Sequence, residues 1–161
     1  MKVRDDPQKG KKGNEFKGLA AGANYRRMAR LLGMGEDFYR RGIGCYAVDA
    51  GMKALDLGCG PGALSYALAE TAHPDSEITG IDISDDQLDY ARMYAPRFSC
   101  KLSFEKISMD ELPYSDGSFD LAISSMAIHE TPTEIRRAAI KETARILKHG
   151  GKFIYIDWSK P

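Results

Sequence analysis

The stretch Ala54–Gly62 reads ALDLGCGPG. Three glycines at alternate positions, Gly58, Gly60 and Gly62, follow an apolar run that carries one acid, Asp56. An apolar strand running into a glycine-rich turn is the start of a β-α-β unit, and such turns let backbone come close to dinucleotides, phosphates or nucleosides. The spacing alone leaves the ligand open. GCGPGA, with Ala63 in the last place, fits the dinucleotide fingerprint, so a nicotinamide or flavin fold is one reading. Asp82, 22 residues after Gly60, can accept hydrogen bonds from two ribose hydroxyls, whether the ribose belongs to NAD or to another nucleoside.

Outward from this turn, strands and helices alternate. KALDLG reads as a buried strand, GALSYALAE as a helix and EITGIDIS as a second strand. Ser84 followed by Gln87 is a capping-box pattern, with Asp85 and Asp86 in the first turn of a helix whose apolar stripe is Leu88, Ala91 and Ala95. KLSFEKI and FDLAIS are the third and fourth strands. A long helix follows, with Thr131 as cap, Pro132 at its first position and Glu134 closing the box; it is expected to run to Gly150, with Arg145, Lys148 and His149 in its last turn. KFIYIDW is the fifth strand. The pattern predicts an α/β fold, a Rossmann-like doubly wound and mainly parallel sheet with helices on both faces, whose ligand lies beyond the carboxyl ends of the strands.

Before the first strand lie two helical patterns, NYRRMARLLG and EDFYRRGIGCYAVDA, broken at GMG. Residues 1–14 read as a solvated tail and 15–161 as a single domain, with N-terminal helices over 15–50 and the core over 53–158. A chain of 161 residues with 43% hydrophobic composition is long enough for one core and short for two. The 23 basic residues equal the 23 acidic ones, so no net field draws the protein to nucleic acid or an anionic membrane, and a small-molecule partner is expected. No apolar run approaches the roughly 18 residues of a membrane span. Cys45, Cys59 and Cys100 are widely spaced without a C-x-x-C pair, which suits a reducing cytosol and no bound metal.

Asp56 sits two residues before Gly58, where a carboxylate suits a ligand bearing an ammonium group better than a pyrophosphate. With LPYSDGSFD after the third strand and ARILKHGG before the fifth, the chain resembles the class I S-adenosylmethionine-dependent methyltransferases, in order from about Lys53 to Trp158. The segment YRRMARLLGMGEDFYRRGIG is loosely similar to the region before this motif in ubiquinone and menaquinone biosynthesis C-methyltransferases.

The resemblance implies S-adenosylmethionine as cofactor and methyl transfer to a small-molecule acceptor. It implies that Asp56 and the backbone around Gly58, Cys59, Gly60 and Gly62 cradle the methionine part, that Asp82 binds the ribose and that Ile83 packs on the adenine. Ser108 and Met109 stand where the family holds the adenine edge, and Ser124 and Ser125 end the fourth strand beside the sulfonium. Ser108 departs from the acid usual there, so it supplies a weaker acceptor, unless Asp110 reaches in. His129, with Glu130 beside it, is the candidate general base, and Tyr25 reaches the site from the N-terminal helices. His73 and His149 carry no catalytic expectation. Family members usually continue past the fifth strand with further strands. The chain ends at Pro161, so those C-terminal strands are expected to be missing, and the edge over 152–158 to be covered by a second copy, the N-terminal segment or a partner chain. The alternative to an active enzyme is a cofactor-binding but catalytically weak fragment or subunit.

Overall fold

Alternation along β1 (Lys53–Leu57) divides the core in two. Ala54 and Asp56 face one side of the sheet and Leu55 and Leu57 the other, and all four are buried. On the first side Ala54 meets Leu64 and Leu68 of α3 (Ala63–Ala69), together with Ile78 of β2 (Glu77–Asp82) and Ile123 of β4 (Phe119–Ser125). On the second side Leu55 and Leu57 meet Ile81, Ala122, and Ala139 and Ile146 of α5 (Thr133–Ile146). A strand buried on both faces cannot show polar alternation, which is why β1 and β4 read as continuous apolar runs.

The computed structural model describes Gly13 and residues 15–44 and 46–157. The expected tail (Gly13 apart), Cys45 and Trp158 lie outside the described residues. The five strands are ordered β3-β2-β1-β4-β5, with β3 at Lys101–Lys106 and β5 at Leu147–Ile156, and every neighbouring pair is parallel. The chain order reverses at β1, with β2 on one side and β4 on the other, so the crevice beyond their carboxyl ends is the switch point where ligands bind in such sheets. α4 (Asp85–Tyr94) shares the α3 face, where Tyr66, Leu88, Ala91 and Phe104 pack together. The N-terminal helices α1 (Gly22–Leu31) and α2 (Glu36–Ile43) lie over α4 and α3 respectively.

The break between α1 and α2 falls at Gly33–Gly35 as expected, with Gly33 at φ 83°. Beyond Ile43 the second helical pattern does not continue. Gly44 takes φ 57°, and residues 46–52 run irregularly to β1. Half of the expected α4 capping box forms: Ser84 Oγ accepts from the amide of Gln87 at 3.4 Å, but the amide of Ser84 donates to Asp82 and not to the Gln87 side chain. Ala95 falls in a short 3₁₀ turn after α4 rather than in the helix.

Two expectations about α5 are corrected. Thr131 does not cap it; its hydroxyl donates to the carbonyl of Ile128 at 2.7 Å, and Pro132 stands at the cap position itself. The helix also ends at Ile146, not Gly150. Leu147 is captured by β4, pairing with Phe119 and packing into the core, and the ladder resumes at Leu121 with Lys152. The residues between form a bulge in β5, with Gly150 at φ 81° and Lys148 Nζ bound to both oxygens of Asp120 at 2.8 and 2.9 Å. Helices lie over both faces of β5: Ile154 and Ile156 pack on the α2 side, Phe153 on the α5 side. Its outer hydrogen-bonding edge has no neighbouring strand among the described residues.

Candidate functional site

The turn after β1 is drawn to β2 by a side chain. Asp82 ends β2, and its Oδ2 accepts from the amide of Gly60 at 2.8 Å while Oδ1 accepts from the amide of Ser84 at 2.9 Å. Each oxygen keeps lone-pair capacity for a further donor. Burial raises the Asp82 carboxyl above its ordinary range, with the amides of Ser84 and Gly60 opposing. Gly58, at φ 69°, passes so near the chain just past β4 that an added Cβ would stand 2.4 Å from Cβ of Ala127. Only glycine satisfies both the dihedral and the space.

Behind the turn, Asp56 is 1% exposed and accepts from Ser65 Oγ at 2.5 Å. Burial pushes its carboxyl up to about 7, against the hydrogen bonds from Ser65 that favour the ionised form. A buried acid held near neutrality is poised to ionise when a cation arrives.

These groups line one cavity beyond the carboxyl ends of β1, β2 and β4. Of the residues marked in the sequence, Asp56, Gly58, Cys59, Gly60, Asp82, Ile83, Ser108, Met109, Ser125 and Tyr25 reach its wall. Three do not. Gly62 is the left-handed residue that starts α3, at φ 82°. Ser124 is fully buried and donates to the carbonyl of Leu57 at 2.8 Å, because alternation along β4 turns it into the sheet and leaves Ser125 to face the cavity. The His129 ring stands outside the wall, with Nδ1 on Asp157 Oδ1 and Nε2 3.1 Å from Glu130 Oε1, while Glu130 itself lines the cavity.

Ser108 and Asp110, weighed as rival acceptors, act together. Ser108 Oγ donates to Asp110 Oδ1, which leaves the hydroxyl oxygen free to accept from the cavity side. Sequence reading missed Phe16, Tyr39, Gln87 and Thr131. Phe16 stood in a mostly polar stretch, and Gln87 was noted only as a capping-box partner of Ser84; its side chain instead accepts from the amide of Gly22 at 2.8 Å and ties α1 to α4. The rings of Phe16 and Tyr25 meet edge to face at 5.2 Å on the outer side. Burial, with the carboxylates of Glu130 and Asp82, raises the Tyr25 phenol, so it remains a donor.

A nucleoside carrying an ammonium group fits this chemistry. Asp82 offers acceptors for vicinal hydroxyls, Asp56 a buried anion, Ser108 an acceptor for an exocyclic amine, and the buried hydroxyl of Ser125 has no partner among the described residues. The cavity volume is about 80 Å³, small against the roughly 300–1,000 Å³ of small-molecule pockets.

Comparison with known proteins agrees with the geometry. A family model described as a methyltransferase domain matches residues 54–151. The chain belongs to the methyltransferase domain family. This family uses S-adenosylmethionine as cofactor, and the nicotinamide reading is set aside.

Among relatives of this methyltransferase domain, an uncharacterized methyltransferase from Synechocystis is 32% identical over 137 residues, covering 84% of this chain and 61% of that protein. A demethylmenaquinone methyltransferase from Staphylococcus aureus is 33% identical over 114 residues, covering 71% of this chain and 46% of that protein. Among solved structures, the YcgJ protein from Bacillus subtilis superposes with a TM-score of 0.62 at 26% identity, over 76% of this chain and 49% of the other. The chain thus spans about half to three fifths of the length of the curated relatives it matches.

Proposed function

We propose that the protein is an S-adenosylmethionine-dependent methyltransferase acting on a small-molecule acceptor that enters beyond β4 and β5. The observation that carries this reading is the pairing of two buried acids around one glycine turn: Asp82 oriented by the amides of Gly60 and Ser84, and Asp56 held by Ser65. Bound there, S-adenosylmethionine supplies a methyl group on an already activated sulfonium leaving group.

The chain's own task is then mostly to bind, align and exclude water. Asp82 accepts from the ribose hydroxyls, Ser108 from the adenine amine, and ionised Asp56 neutralises the ammonium. Phe16 and Tyr25 close the outer side. Glu130 on the cavity wall and His129 behind it give a proton from an ionising acceptor somewhere to go: a neutral imidazole donates to one of the two carboxylates beside it, an imidazolium to both.

The name of the Staphylococcus relative supports including quinol-type aromatic carbon acids in the acceptor panel. Transfer of label from S-adenosylmethionine to one member of a panel of phenols, quinols and carboxylic acids tests the reading. Transfer to none of them, with cofactor bound, favours the catalytically weak fragment instead.

The cytosol is proposed as the setting, supported by the free buried thiols of Cys59 and Cys100. Among the described residues no helix is long and apolar enough to cross a membrane. The edge of β5, which has no neighbouring strand among the described residues, supports the proposal of a covering chain, and light scattering with hydrogen exchange at residues 152–156 reads it. A monomer whose β5 amides exchange freely would end that proposal.

A further inference from the structure

Outside the cofactor cavity, a groove of about 390 Å³ runs between α1 and α2 on one side and α3 and α4 on the other. Its rim is arginine-rich in a protein with no net charge. Two of the arginines are already matched: Arg26 lies 3.4 Å from Glu36, and Arg40 makes a two-bonded pair with Glu70 at 2.8 and 2.9 Å. The other three, Arg27, Arg30 and Arg97, line the same groove and form no ion pair among the described residues. All three are exposed.

The floor between them is aromatic. Tyr66 stacks on Phe98 at 5.4 Å with 15° between the planes, and Tyr94 meets Tyr66 edge to face at 6.3 Å. The Arg97 guanidinium lies 4.4 Å above the Tyr94 ring, a placement that occupies its face and leaves its edge N–H groups directed elsewhere. Of the three unpaired arginines Arg97 is the one set against a ring, and Arg26 lies 5.7 Å from the centre of Tyr66; guanidinium groups sharing a groove with aromatic rings are a combination that takes a phosphate joined to a flat ring.

We propose that this groove is a second binding site, for a free nucleoside phosphate of mononucleotide size, distinct from the cofactor cavity. The phosphate lies among Arg27, Arg30 and Arg97, and the base lies on the Tyr94 and Phe98 side. A single nucleotide is favoured over a nucleic-acid strand because Glu36 and Glu70 on the rim are already matched by Arg26 and Arg40, which leaves three arginines for an anion, and because the balanced total charge provides no extended field along which a polyanion would lie. Ala63 borders both the groove and the cofactor cavity, so the two sites share a wall at the start of α3.

The test is calorimetric titration of the full chain with guanosine 5′-monophosphate in the presence of saturating S-adenosylhomocysteine, which blocks the cofactor cavity. Saturable one-to-one binding is expected, competed by inorganic pyrophosphate. It should weaken by about tenfold or more in the Arg30→Gln/Arg97→Gln double variant, with S-adenosylhomocysteine affinity unchanged. Guanosine without the phosphate should bind about tenfold or more weakly in the wild-type chain, a comparison that needs no variant. The proposal is overturned if guanosine binds as tightly as its phosphate or no binding saturates. It is equally overturned if S-adenosylhomocysteine displaces the nucleotide, or if affinity climbs with the length of a single-stranded oligonucleotide. With the cofactor cavity filled, failure here leaves the methyl-transfer reading intact; if S-adenosylhomocysteine itself does not bind, that reading fails, and the Arg30→Gln/Arg97→Gln variant still reads this site by its loss of nucleotide affinity.

Discussion

The amide of Gly60 donates to Oδ2 of Asp82 at 2.8 Å, so the group assigned to the ribose also holds the glycine turn in place. Asp82→Ala removes the ribose acceptor and releases the amides of Gly60 and Ser84 together. Loss of S-adenosylhomocysteine binding by about 100-fold or more is expected, since hydrogen bonds to charged groups contribute about 1.5–3 kcal/mol each. Asp82→Asn keeps one acceptor oxygen and should lose less. Calorimetry on the two variants, with far-ultraviolet circular dichroism to check the fold, reads the difference.

Asp56 gives the site a pH dependence whose sign follows from its environment. Its carboxyl is raised to about 7 in the folded protein, chiefly by burial, from an ordinary value of 3.8. The stability this provides is fully present below about pH 4 and is lost as the pH rises through about 7. A ligand ammonium beside the carboxylate reverses the preference, so binding should release a proton below about pH 7, and affinity should rise with pH there by at most about tenfold per unit. Titrations at pH 6 and pH 8 in buffers of different ionisation enthalpy measure both effects. Asp56→Asn should bind more weakly and show neither.

Gly58 tests the close approach of the turn to the segment just past β4. An alanine there would place Cβ 2.4 Å from Ala127 Cβ at a backbone φ of 69°, so the turn has to shift. Gly58→Ala should destabilise by about 1–3 kcal/mol and weaken cofactor binding by about tenfold or more. Gly117→Ala, also at positive φ but with its Cβ no nearer than 3.9 Å to a Lys148 backbone atom, should affect stability alone. Urea melts paired with binding assays distinguish the two.

Much of this was legible in the sequence, and the failures have physical causes. The five strands, their parallel winding and the cavity at the end of β1 followed from apolar runs and glycine spacing, which are local signals. The α5 terminus was misjudged because basic residues and Gly150 after a helical pattern resemble a C-cap, whereas the pairing of Leu147 with Phe119 is a long-range contact. Ser124 and Ser125 were equivalent in sequence, and only the phase of β4 decides which one faces the cavity. Phe16 and Gln87 act through side chains that meet distant segments, so no spacing rule exposes them.

Ser108, the proposed acceptor for the adenine amine, is oriented by its neighbour. Its hydroxyl donates to Asp110, fixing the direction of the oxygen's acceptor side. Ser108→Ala should weaken S-adenosylhomocysteine by about two- to tenfold, in line with a neutral hydrogen bond of about 0.5–1.5 kcal/mol. Asp110→Asn should fall between the variant and wild type. Sinefungin, which keeps the adenine, should lose affinity in parallel; an analogue lacking the exocyclic amine should not respond to either substitution.

Titration calorimetry with S-adenosylhomocysteine and NAD, on wild type and Asp82→Ala side by side, tests the cavity assignment most directly. One-to-one binding of S-adenosylhomocysteine to the wild type, no saturable binding of NAD, and loss of the first in Asp82→Ala is the expected result. Wild-type affinity retained by a folded Asp82→Ala chain, or NAD bound as tightly as S-adenosylhomocysteine, would contradict it.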